Sequence, residues 1–99
     1  MEGQHQQKGG FRARNAAMLC QDETFRLYLD RRRAAKFQLD IPDGTHTVDD
    51  ARDFILQACG IQSRAELDHN QEAASTYRQI MYHYQRWQDR QRRRALQSQ

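Results

Sequence analysis

Three kinds of residue in this chain have types that do chemistry: scattered histidines and cysteines, a knot of aspartates, and two clusters of arginine. His5, His46, His69 and His83 form no i, i+4 pair, and neither Cys20 nor Cys59 has a cysteine or histidine close by in sequence. Protein zinc ligands come at short, regular spacings. Metal binding here would require Cys59, His69 and His83 to converge through the fold. Core thiols and surface histidines are the reading favoured by their neighbours. Asp49, Asp50 and Asp53 resemble a magnesium cluster of a nuclease, but they fall in the first turns of a predicted helix. Carboxylates there already complement the positive end of the helix dipole. No Gly-rich phosphate loop, GxSxG or paired catalytic motif occurs. A deep catalytic cleft is also hard to build on the single small core that 99 residues allow. The expectation is a binding protein, not an enzyme, with no catalytic residue, metal or cofactor.

The arginines carry the sharper signal. The net charge is +3, yet residues 86–99 contain Arg86, Arg90, Arg92, Arg93 and Arg94 against Asp89, which is +4. A second basic block, Arg26, Arg31, Arg32, Arg33 and Lys36 against Asp30, is again +4. It is followed by an acidic block, Asp40, Asp43, Asp49, Asp50 and Asp53 against Arg52, at −4. The body is therefore a dipolar patchwork, not a uniformly basic surface. Only two of the 16 basic residues are lysine. Arginine suits bidentate contact with phosphate or carboxylate, and a GC-rich coding sequence produces the same bias. No apolar run approaches the ~20 residues that span a bilayer, and no signal-peptide core follows Met1. These features imply a soluble, cytoplasmic chain with free thiols and no membrane partner.

The elements that must position these residues are helical. Residues 1–10 hold no apolar side chain after Met1 and end in Gly9-Gly10, the composition of a disordered arm. Ala13, Ala16, Ala17, Met18, Leu19 and Cys20 predict a short apolar helix. Gln21 or Asp22 starts a second, in which Phe25, Tyr28 and Leu29 share a face that Arg32 and Lys36 continue, with stems long enough to lie on apolar neighbours. Phe37-Gln38-Leu39-Asp40 alternates briefly and precedes the turn Pro42-Asp43-Gly44, leaving room for a minimal β-hairpin around Pro42. Thr47 and Asp50 form the pattern of a capping box, and Val48, Ala51, Phe54, Ile55, Ala58 and Cys59 give an amphipathic helix closed by Gly60. Ser63 and Glu66 repeat the box, and Asn70 can cap the last helix. Ala73, Ala74, Tyr77, Ile80, Met81, Tyr84 and Trp87 keep helical period, and helix formers continue to about Leu96, roughly 39 Å.

The fold class is thus all-α: a small four- to five-helix domain with a long C-terminal helix. The expected division is an arm at 1–10, a helical domain at 11–88 and a basic helical extension at 89–99. Thr47–Cys59 followed by Ser63 onward has the layout of a helix-turn-helix, which would set Ser63, Arg64, Leu67 and Asp68 in a major groove. Arg64 against Glu66 and Asp68 gives that unit −1, the wrong sign for facing phosphates. The face of the last helix opposite its apolar stripe is a better candidate. It carries Tyr82, His83, Arg86, Arg90, Arg93 and Arg94, and Arg31, Arg32 and Arg33 extend it if their helix packs alongside. Tyrosine among arginines suits nucleic acid or an acidic protein; a solvated, solubilising face is the plainer alternative. Asp40, Asp43, Asp49, Asp50 and Asp53 form a candidate acidic patch that mimics phosphate toward a basic partner.

The runs Asn15-Ala-Ala-Met-Leu-Cys-Gln-Asp22, Phe25-Arg-Leu-Tyr-Leu29, Ala58-Cys-Gly-Ile-Gln-Ser-Arg-Ala-Glu-Leu-Asp68 and Tyr84-Gln-Arg-Trp87 resemble small proteins of tailed phages and prophages. The resemblance covers about residues 12–88 and brings no catalytic residue with it. It implies a class of compact accessory proteins that act by binding in the host bacterial cytoplasm, including modulators of phage DNA metabolism and anti-CRISPR-like inhibitors. Two expectations follow. One is stoichiometric modulation of a host protein or ribonucleoprotein complex. The other is a nucleic-acid-binding accessory of phage recombination or replication, contacting DNA or RNA through its arginines. A protruding last helix also allows a homodimer.

Overall fold

The computed structural model describes residues 10–97, and most of the described residues are helical: α1 (Phe11–Gln21), α2 (Glu23–Phe37), α3 (Val48–Cys59), a 3-10 helix (Arg64–Asp68) and α4 (Gln71–Gln97). The arm expected at the N-terminus lies, apart from Gly10, outside the described residues. Several helix boundaries have a local cause. Asp22 takes an extended conformation between α1 and α2, and its carboxylate accepts the Thr24 amide at 2.9 Å. The Thr47–Asp50 box forms in both directions, at 3.1 and 3.0 Å. Gly60 closes α3 in the left-handed region, φ 68°, where a side chain would be strained. Asn70 accepts the Ala73 amide at 3.0 Å, opening α4.

The core gathers one side of every element. Cys20, Phe25, Ile55 and Leu67 are fully enclosed, and Tyr77, Ile80 and Tyr84 of α4 close over them. α1 packs chiefly on the 3-10 helix and α3, while α4 crosses α3 and the 3-10 helix. Met18, one of the residues that predicted the short apolar helix, is exposed. No helix among the described residues is long and apolar enough to cross a membrane.

One expectation is corrected. The hairpin around Pro42 does not form, and no strand occurs among the described residues. Phe37 is the last residue of α2, and Gln38 turns left-handed, φ 55°. A four-residue alternation with no second strand leaves its backbone groups unpaired. Here a buried carboxylate supplies partners instead: Asp30 of α2, fully enclosed, accepts the amides of Gly44 and His46, each at 2.9 Å. The His46 ring Nδ1 lies 2.6 Å from the same carboxylate and donates to it. Burial alone would raise the pKa of Asp30; the ring and the two amides outweigh it and hold the group below its ordinary value.

The helix-turn-helix layout, already disfavoured by its charge, does not form either. The segment after Gly60 is a five-residue 3-10 turn, too short to serve as a recognition helix. Its Asp68 faces inward along the fold, accepting the amides of Gly10, Arg12 and Ala13 at 2.7, 3.0 and 3.0 Å. It caps α1 from 55 or more residues away in sequence. Burial again opposes its charge, and the three amides, with the nearby Arg12 guanidinium, lower its pKa.

Candidate functional site

Four aromatic rings set α2 beside α4. Phe25 meets Tyr84 edge-on with centroids 5.1 Å apart, and Tyr28 lies 5.4 Å from Tyr84 and 5.5 Å from Trp87. Trp87 stacks on Tyr84 at 6.3 Å and 20°. The pairing of Phe25 with Tyr84 and of Tyr28 with Trp87 shows that the two helices advance in the same direction. The Tyr84 hydroxyl donates to Asp22 at 3.3 Å, anchoring the start of α2. The residues that follow the ring cluster on both helices are therefore brought side by side, and those residues are the arginines.

Between them runs a groove of about 820 Å³. From α2 its walls take Arg31, Arg32, Ala35 and Lys36; from α4 they take His83, Arg86, Arg90, Gln91 and Arg94; Tyr28 and Trp87 line it between these walls. Six of these side chains are Lys or Arg, and no acid lines the groove among the described residues. A comparable hollow at the start of α4 mixes Arg12 and Arg78 with Asp68 and Glu72, so it presents no single sign of charge. Arg32 also lies 5.0 Å over the ring of Phe54 in α3, as expected for a long basic stem resting on an apolar neighbour. Tyr28 titrates above its ordinary value because burial disfavours the phenolate, although Arg32 and Arg90 pull the other way.

The groove unites six of the nine candidate contact residues and leaves three aside. Arg31, Arg32, His83, Arg86, Arg90 and Arg94 converge. Arg33 turns away: it covers the ring of Phe37 and lines a separate hollow with Asp50 and Asp53. Tyr82 is 54% exposed but lies outside the groove, where Arg86 covers its ring at 5.7 Å and donates to its hydroxyl at 3.2 Å. Arg93 is exposed beyond the groove lining. Sequence reasoning did not place Lys36, Gln91 or the aromatic lining in this site. Trp87 reads as core because it keeps the apolar period; in the fold it is half-buried, with Tyr28 and Tyr84 against it and the groove beside it.

Part of the acidic patch is engaged locally. Asp43 pairs with Arg31, Oδ1 to Nε 3.2 Å and Oδ2 to Nη2 3.3 Å. Asp50 is engaged in the α3 capping box, whose Thr47 hydrogen bonds lower its pKa. Asp53 lies 4.0 Å from Arg52, and Asp40 and Asp49 are exposed. Among the described residues no three His, Cys, Asp or Glu side chains gather as metal ligands. Burial raises the pKa of the Cys20 and Cys59 thiols, leaving them protonated and poorly nucleophilic at neutral pH.

The arrangement can hold an extended anion. Its cations stand on two walls, three of them guanidiniums one turn apart at Arg86, Arg90 and Arg94, about 6 Å per step. No family model, curated protein or solved structure matches the chain.

Proposed function

We propose that this protein is a nucleic-acid-binding accessory protein that holds phosphates in the groove between α2 and α4 and acts by binding, without covalent chemistry. The observation that carries the reading is the gathering of Arg31, Arg32, Lys36, Arg86, Arg90 and Arg94 on a groove with no acid in its lining. Like charges set side by side raise the energy of the folded state, and a polyanion relieves that repulsion. Arginine forks also match phosphate oxygens two at a time. The test is a fluorescence-anisotropy titration of the full chain with labelled DNA and RNA at several salt concentrations. Six phosphate contacts at about 0.7 each predict a log–log salt slope near −4 for a single strand. Absence of binding at low salt refutes the proposal.

A second reading is stoichiometric binding to a host protein or ribonucleoprotein, in the manner of an anti-CRISPR-like inhibitor. The observation favouring it is that Asp40, Asp49 and Asp53 stay exposed and offer carboxylates to a basic surface. It predicts one-to-one capture of a purified complex that survives Arg86→Gln and is lost on Asp49→Asn with Asp53→Asn.

A further inference from the structure

We infer, resting on the nucleic-acid reading, that the groove takes one unpaired strand and that Trp87 is the platform on which a base of that strand stacks. Duplex readers present a convex element to a major groove about 12 Å wide. Here the cations stand on both walls of a concavity between α2 and α4. A single flexible backbone can follow such a concavity and meet both walls; a rigid duplex, with its phosphates on a convex surface, meets them less readily.

The lining adds aromatic surface to the charge. Phosphate binding alone needs no aromatic side chain, yet Trp87 and Tyr28 line the groove between the two basic walls. Trp87 is half-buried: Tyr84 stacks against it and Tyr28 leans on it, which holds the indole still. Trp87 lines the groove together with Arg86 and Arg90. A fixed, flat, partly exposed indole flanked by guanidiniums is what sequence-tolerant single-strand binders use, since every base has a π-face. Unpaired bases can reach it; bases in a duplex are already stacked on one another.

The chain contains one tryptophan, so the test needs no label. Tryptophan emission of the full chain is followed while an oligothymidine of about 20 nucleotides, longer than a typical single-strand site, is added. Parallel titrations use the corresponding duplex and heparin, a polyanion without bases. The expected result is strong quenching by oligothymidine, binding of heparin without quenching, and duplex binding at least about tenfold weaker than that of the strand. Trp87→Leu should weaken oligothymidine about tenfold and leave heparin affinity unchanged, while Trp87→Phe keeps most of the affinity. Oligothymidine binding seen by anisotropy without quenching overturns the stacking inference and leaves the nucleic-acid reading standing. A duplex bound as tightly as the strand does the same for the single-strand inference. An equal loss of heparin and oligothymidine binding in Trp87→Leu shows that Trp87 only supports the fold. If neither nucleic acid binds, both readings fall together.

Discussion

Replacing Arg86, Arg90 and Arg94 together by glutamine removes half of the six cations on the groove. All three are exposed, and glutamine has nearly the helix propensity of arginine, so α4 should persist. The structural cost is small: Arg86 leaves the Tyr82 ring, and the last turns lose charge that complements the dipole, about 0.3–1 kcal/mol. Binding should respond far more. With about 0.7 released counterions per contact, six contacts give a salt slope near −4 and three give about −2. Between about 50 and 200 mM salt the intact protein should lose roughly 300-fold in affinity for a single strand and the variant only about 20-fold. Arg92 and Arg93 supply the control, because Arg92 pairs with Asp89 and neither lines the groove. Their double replacement should leave the slope near −4. The assay is anisotropy over a salt series, with circular dichroism confirming helicity. A triple variant that keeps the parental slope, or a control that loses as much as the triple variant, refutes the groove as the phosphate site.

Three further outcomes are expected. Asp43 occupies Arg31 as a phosphate would, so Asp43→Asn should tighten strand binding by up to about fivefold, the worth of one exposed ion pair; equal or weaker binding in the same titration contradicts this. Asp68→Ala removes the acceptor of three α1 amides and should cost about 2 kcal/mol, or roughly 10 °C in melting temperature for a domain of this size. A thermal melt shifted by less than about 3 °C would show that the cap is dispensable. The pH dependence follows from Asp30 and Asp68, whose folded pKa values lie below their unfolded ones. Their stabilisation is fully present above the unfolded value, near 3.9, and drains away as pH falls through the lower folded values. Melting temperature should therefore fall steeply below about pH 4, and Asp68→Ala should flatten that fall; a parental protein equally stable at about pH 3 rules this out.

Much of the architecture was legible in the residues because its signals are local. The Thr47–Asp50 box, the glycine at position 60 and the Asn70 cap each act within four residues, and the apolar period of α4 continues without glycine or proline. Such signals do not depend on what packs against them. The hairpin failed for the converse reason. A strand is defined by a partner, and the Asp30 carboxylate offered the 44–46 backbone a better one across the fold. The role of Asp68 was not legible, because it caps a helix that lies far from it in sequence.

The candidate site divides along the same line. Composition and helical period established that two arginine clusters exist and which helices carry them, since charge and a 100° repeat are properties of the chain alone. Whether the clusters meet depended on Phe25, Tyr28, Tyr84 and Trp87, whose ring contacts bring α2 alongside α4. That packing drew Arg31 and Arg32 onto the groove, turned Arg33 toward Asp53, and left the indole of Trp87 open between two basic walls. Local propensity sets what each helix presents. Only the burial of side chains distant in sequence decides which faces confront one another.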